Sequence, residues 1–593
     1  MSLIEYFSQT HNSDELKELL DVMGVRGKPT RKDERAELLV RTLTSRRELQ
    51  DLLDRMRDIE RKALAAAFHN DGIFDPHAFL AQYRALPDRP SGGRWSYSTK
   101  LYTLDLFFRG ITRWRSWQHY AIHPELMPLL EPLMPPPDRF VLNGPVETPT
   151  AMDVEGDIFP AIAVETEKRG PHDLLLFLAL LNQGEVKYSS SMKQLTKKSQ
   201  EVLEAKLAAS DGDATDSEFL NYVRATGLAL FAYTAGLVDR NGNLSEEGKA
   251  YLATESPEIL FDAFLEWSEE GWFDEITLID GIRGAGNKGV RLTHPSTRRE
   301  RIIEALSWAP TGVWIDTYDL YRAIQIWHMD FDVEEGGIDH LHVGSYSRRG
   351  RYAEPWADYT NAWYFIKGLY INAVVWAFLA SIGAVDILYV HDAADYFPAL
   401  TYTGTEERPV SNFDGLAAFR ITPLGAYLFG QASSYEPPKS AEEALFTTSA
   451  EGVISLLPGV TLNEAHRAQL EQIADATAQG HVLSRQKLLV YLESSEDLSL
   501  PRAFLAQRNQ SPLPEDVTRF LDQVEADSCA AIVKSRMLSI TISSAEVAQQ
   551  ILDDPTAGKI ARQLDSRTLV IPESRKSAFR NALRVMGYGL SDG

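Results

Sequence analysis

The chain has 593 residues, of which 44% are hydrophobic and 24% charged, with a net charge of −24. That length suits about three to five domains, each able to bury its own core, and the balance excludes a disordered chain. The single cysteine, Cys529, excludes a disulfide framework and a multi-thiolate metal centre within one chain. The opening MSLIEYFSQTHNSDEL lacks the basic-then-apolar order of a secretory leader, so a cytoplasmic protein is expected. Charge is uneven: residues 1–120 hold 20 Lys+Arg against 17 Asp+Glu, and the rest hold 40 against 67. An acidic body repels phosphate over about 8–10 Å, so any DNA contact has to be local, while the acidic surface suits solubility or a basic protein partner.

Residues Asp14 to Leu43 read as helix, short loop, helix. Leu16, Leu19, Leu20 and Met23 share one face, Ser13 is the expected N-cap, and Gly24 stops the first helix. Leu38 and Leu39 face inward from the second. The positions Leu16, Leu19, Leu20, Gly24, Lys32, Leu38, Leu39 and Arg41 resemble a SAP motif, which implies DNA binding. Lys28, Arg31, Lys32, Arg35 and Arg41 would gather at a helix N-terminus, where free amides also favour phosphate. The other reading of the same residues is a solvated face interleaved with Asp33, Glu34 and Glu37.

Three further stretches show the winged-helix trace of three helices followed by two strands. The first runs from Ile59 through Gly72-Ile73-Phe74 and the cap Asp75-Pro76 to a helix near Ser98–Phe108. The second begins at Asp173, continues with helices over Met192–Leu207 and Phe219–Ala235, and ends in a hairpin turning at Asn241-Gly242. The third opens at Arg298, carries an insertion of about Asp330 to Pro355, and has its wing at Ile387-Leu388-Tyr389 and Phe419-Arg420-Ile421. Between them, GLYINAVVWAFLASIGAV (Gly368–Val385) approaches membrane-span length. Gly383, Asp386 and the β-prone run beyond make it a buried helix, a turn and a strand; no membrane partner is expected.

Beyond a polar linker the pattern alternates strands and helices. Leu445–Leu457 gives two short strands, Leu462–Ala476 a helix, His481-Val482-Leu483 a strand and Ser484–Leu492 a helix. Pro514 opens another helix, Met537–Ile542 and Thr568–Ile571 are strands, and Ala545–Leu552 and Glu573–Met586 are helices. Val453-Ile454-Ser455-Leu456, His481 to Arg485, Leu513 to Val517 with Phe520, and Leu569-Val570-Ile571 resemble the N-terminal domain of XPB-type helicases. The winged helices upstream resemble those of motorless bacterial proteins with such an end, and the clutch subunit of TFIIH. The resemblance implies an adaptor that engages a helicase or nuclease in DNA repair or phage defence.

No GxxxxGK[ST] phosphate loop is present; Gly242 to Ala250 has five residues between its glycines and lacks the hydroxyl that holds magnesium. Gly284 to Gly289 fits GxGxxG, yet extended chain follows it where a dinucleotide site needs a helix. His328, Asp330, Asp332, Asp339, His340 and His342 are metal-ligating types, read here as an exposed solvated loop. No catalytic residue, cofactor or metal is assigned. Lys187, Lys193, Lys197 and Lys198 are expected on the groove-facing side of the second module, with Tyr188 and Ser189 to Ser191 adding phosphate contacts. Arg348, Arg349 and Arg351, between Tyr346 and Tyr352, suit single-strand contact. An ordinary exposed lysine face is the other reading.

The expected fold is thus mainly α with winged-helix modules, followed by a C-terminal α/β (α+β) XPB N-terminal-like domain. Its divisions are a SAP-like motif at 1–48, a winged-helix-like domain and linker at 49–165, a second at 166–275, a third at 276–430 with the inserted loop 330–355, a linker at 431–442, and the last domain at 443–593. The function to which these expectations lead is a non-enzymatic adaptor with DNA and a protein partner; the alternative is a protein-only scaffold.

Overall fold

The computed structural model of the protein describes residues 1–87, 101–114, 117–154, 157–192, 194–210, 218–335, 340–343, 363–390, 411–437, 444–478, 480–494, 497–528 and 536–591. About half of the chain is helical and the sheets are small, a mixed α+β architecture. Two compact units divide it, one of residues 1–445 and 458–470, the other of residues 446–457 and 471–593.

Five helices open the first unit: Leu3–Thr10, Ser13–Val22, Lys32–Leu43, Arg46–Arg55 and Asp58–His69. Ser2 and Glu5 form a capping box on the first, and Asn12 with Glu15 forms one on the second, so the cap lies one residue before the Ser13 expected for it. Their apolar faces meet in one cluster running from Leu3 and Phe7 through Leu16, Leu39 and Leu52 to Leu104 and Leu130. Residues 1–48 therefore share a core with the segment that follows.

That segment continues with strand Ile73–Phe74, helix Pro76–Tyr83 capped by Asp75, and strands Phe108–Trp114 and Trp117–Ile122. The last strand pairs with both others. A helix was expected near Ser98–Phe108; among the described residues it is one 3-10 turn at Thr103–Leu106, closed by the Asp105 carboxylate accepting from Tyr102 N.

A second set repeats the order. Helix Pro295–Ser307, strand Trp314–Asp316, helix Thr317–Ile326, a helix at 363–380, and strands Val385–Val390 and Leu416–Ile421 follow one another. Again the last strand lies between the other two, antiparallel to both. The helix at 363–380 carries wide π turns at Tyr364–Gly368 and Val374–Ala380. Its Asn372 is fully buried and satisfied: Tyr321 donates to its carbonyl, and its amide donates to Phe413 O at 3.1 Å. The helix, the turn at Gly383 and the strand stand as expected; among the described residues no helix is long and apolar enough to cross a membrane.

The next two strands were not foreseen, nor were Ala474–Thr477, expected inside a helix, and Arg562–Asp565. Ala151–Val154 and Asp157–Val164 form a hairpin that extends this sheet to five strands. Residues 157–160 pair with 151–154, while 161–164 pair with Val385–Val390. Pro160 sits at the switch of neighbours, where a missing N–H is tolerated.

Helix Glu218–Thr234 packs against the helix at 363–380 and against helices Arg169–Asn182 and Lys197–Ser210. The hairpins of this module are reduced to single bridges, Tyr188 to Leu195 and Val238 to Leu244. Asp239 and Asn243 close the second around a three-residue loop with Gly242 at φ +82°, so a bulged turn replaces the two-residue turn implied by Asn-Gly.

The start of the insertion is packed rather than loose. Met329, Phe331 and Val333 are buried, Asp330 accepts from Lys367 Nζ at 2.8 Å and from the Trp363 indole at 2.9 Å, and His340 pairs with Glu334. His328, Asp330, Asp332 and His340 are exposed as expected, while the apolar residues between them are buried and Asp330 serves the buried Lys367 as counter-ion. Among the described residues no group of three His, Cys, Asp or Glu is arranged to hold a metal; Asp339 lies outside them. Gly284 to Gly289 forms a loop after strand Ile282–Arg283, and the next helix begins only at Pro295.

The second unit contains two sheets. Strands Phe446–Thr448, Val453–Leu456, Gly480–Leu483 and Ala474–Thr477 lie in that spatial order. Helices Arg485–Ser494, Ser499–Arg508 and Glu515–Ser528 follow, the middle one unforeseen. The rest is strand Met537–Thr541, helix Ala545–Asp553, strands Arg562–Asp565 and Thr568–Pro572, and helix Lys576–Val585. Leu569, Ile571, Ile551 and Phe579 form its core.

Candidate nucleic-acid interface

The basic residues of the N-terminal helices divide into two kinds. Arg35 is a structural tie: its Nε donates to Pro29 O at 2.7 Å and its Nη1 to Ser13 O at 2.6 Å and Ser13 Oγ at 2.9 Å. Lys28 is mostly buried in an ion pair with Asp21. Arg31 and Arg41 are exposed and Lys32 half-exposed, with only a 3.9 Å approach of Arg31 to Glu34. Arg31 occupies the N-cap of Lys32–Leu43 without a side-chain cap bond, so the amides of that turn have no side-chain acceptor there. Arg35→Ala should therefore cost about 1–3 kcal/mol by removing hydrogen bonds from a charged group to part-buried acceptors, whereas Arg31→Ala should stay within about 0.5 kcal/mol; thermal melts of the two variants compare them.

The second module holds three lysines near one helix start. Lys187 N donates to Ser199 Oγ at 2.8 Å, and Thr196 N donates to Lys187 O at 3.0 Å. The exposed Lys187 side chain thus stands at the start of Lys197–Ser210, beside exposed Lys197 and Lys198. Thr196 caps that helix through Ser199 N. The second hairpin packs on the first: a Cβ on Gly242 would lie 3.2 Å from Met192 Cε and 3.5 Å from Tyr188 Cδ2. Its tip carries exposed Arg240, which sequence reasoning missed although its turn was recognised. Lys187, Lys197 and Lys198 thus sit at one helix N-terminus, and Arg240 at the tip of the hairpin that packs on the first. Among the described residues, Lys197 alone of the four approaches an acid, Glu201 at 4.0 Å.

Tyr188 does not belong to this surface. It is buried, its hydroxyl donates to Ala229 O at 2.6 Å, and burial holds its pKa well above the usual phenol value. Ser189 and Ser191 hydroxyls bond each other at 3.0 Å. Lys193, Arg348, Arg349 and Arg351 lie outside the described residues.

A scan of protein-family models finds no match, and a search of curated proteins finds no relative.

Proposed function

We propose that the protein is a non-enzymatic, DNA-associated adaptor whose second module contacts the phosphate backbone. The clustering of Lys187, Lys197, Lys198 and Arg240 carries this reading. Cations beside helix amides are the usual chemistry of backbone contact, which positions a protein without reading sequence. The strand order shared by the two three-stranded sets, with the last strand central, supports assigning both as winged-helix units; the three helices and two rudimentary hairpins of the middle module support a third. The strand and helix starts at Val453, Gly480, Arg485 and Glu515 agree with the XPB N-terminal-like reading of the last unit. On that reading this unit recruits or regulates a helicase or nuclease in repair or phage defence.

The net charge of −24 favours the alternative, a scaffold that binds only proteins. A gel shift with duplex and single-stranded DNA separates the two. Lys197→Glu with Lys198→Glu and Arg240→Glu should weaken binding at least tenfold, since each reversal replaces attraction with repulsion. Arg31→Glu should weaken it less. Parent protein that shifts no DNA at low salt favours the scaffold.

A further inference from the structure

A cavity of about 300 Å³ in the first unit lies where helices Arg169–Asn182, Glu246–Thr254 and Pro257–Glu269 meet the chain around Tyr435 and residues 458–470. Its walls are largely apolar and aromatic, among them Leu175, Tyr251, Leu260 and Leu424. Glu167 also lines it, half-buried, and its Oε1 accepts from the Tyr435 hydroxyl at 3.3 Å. That neutral phenol is its sole hydrogen-bond partner, and no cation stands within ion-pair distance of it among the described residues. Arg420 is committed to Asp386 at 2.6 Å and Glu165 at 3.3 Å, while Lys168, at the rim, is exposed. Burial raises the Glu167 pKa, the cost of leaving a carboxylate without a counter-ion in a poorly solvated place.

We propose that this cavity binds a primary ammonium group carried on a short apolar body, with the Glu167 carboxylate as its counter-ion. The volume is at the lower end for small-ligand sites, and besides Glu167 the lining holds Lys168, His172 and the Glu255–His466 pair, so apolar walls carry a few polar groups, as is usual in such sites. Tyrosine rings on the wall add attraction for a cation placed over their faces. The same chemistry is offered by a free amine and by the lysine side chain of a protein partner.

Isothermal titration of the full chain with phenethylamine, N-acetyl-lysine amide and phenethyl alcohol tests this. The ammonium compounds should bind, and phenethyl alcohol should bind at least tenfold more weakly than phenethylamine. Glu167→Gln should remove that difference while melting like the parent; Tyr435→Phe, which keeps the ring and frees the carboxylate, should preserve it. Tighter binding of phenethylamine supports a free amine, and tighter binding of the lysine derivative supports a protein side chain. Equal binding of amine and alcohol, or an amine preference that survives in Glu167→Gln, overturns the assignment, as does failure of both ammonium compounds to bind.

Discussion

Replacing Arg299 by methionine is expected to destabilise the first unit by about 3–5 kcal/mol, the range for removing one partner of a buried ion pair. Arg299 and Glu275 are both fully buried, with Arg299 Nε donating to Glu275 Oε1 at 2.7 Å. The guanidinium also donates to Trp267 O and Gly271 O, each at 2.6 Å, and to Phe273 O, and it lies over the Trp267 ring. Tyr370 supplies a second donor to Glu275 at 2.6 Å. Without Arg299 the carboxylate keeps only that phenol, and three carbonyls lose a donor. This predicts more than a charge effect. Adding Glu275→Leu removes the unpaired charge but leaves the carbonyls, each costing about 1–3 kcal/mol, so the double variant should recover only part of the loss. Calorimetric melting of parent, single and double variants reads this; a double variant as stable as the parent would show that the pair alone mattered.

Gly227→Ala should also destabilise, against the direction of helix propensity. Alanine is favoured over glycine in a helix by about 1 kcal/mol. Here a Cβ would lie 1.7 Å from Ala377 O and 2.7 Å from Ser381 Oγ. The first obstacle is backbone of the helix at 363–380, so no flexible side chain can yield. Overpacking of this kind costs about 1–3 kcal/mol and sometimes more, and the contact is severe enough for the loss to win by about 2 kcal/mol. Gly286 has nothing within 4 Å of its Cβ position, so Gly286→Ala is the matched control and should melt like the parent. A stabilised Gly227→Ala would mean that the two helices do not cross this closely.

Local signals and tertiary ones were unequally readable. Helices with a cap and an apolar stripe, such as Pro76–Tyr83 behind Asp75 or Ala545–Asp553 behind Ser544, could be read from sequence because neighbouring residues determine them. The buried helix at 363–380 was legible too, since only a core tolerates that composition beside Gly383 and Asp386. Asp157–Val164 was hidden by Pro160, whose tolerance depends on a change of neighbours that no local pattern displays. The candidate interface shows the same divide. Lys187, Lys197 and Lys198 are close in sequence and remain together in space. Arg35 looked equivalent to Arg31 but is turned inward by the carbonyls of Ser13 and Pro29, contacts set by the folding of two helices. Tyr188 was assigned to the surface because tyrosine suits phosphate, whereas its ring fills the space beneath the hairpin and its hydroxyl finds Ala229 O. Arg240 was the one signal present and unused: a basic residue at the tip of a recognised turn.

The salt dependence of DNA affinity tests the central claim most directly. Each phosphate neutralised contributes about −0.9 to the slope of log K against log salt on duplex DNA. Engagement of Lys187, Lys197, Lys198 and Arg240 predicts a slope of about −3 to −4. It should fall to about −1, the share of the remaining Lys187, when Lys197, Lys198 and Arg240 are changed to glutamate. A parent slope near zero, or one that the three reversals leave unchanged, would contradict the account.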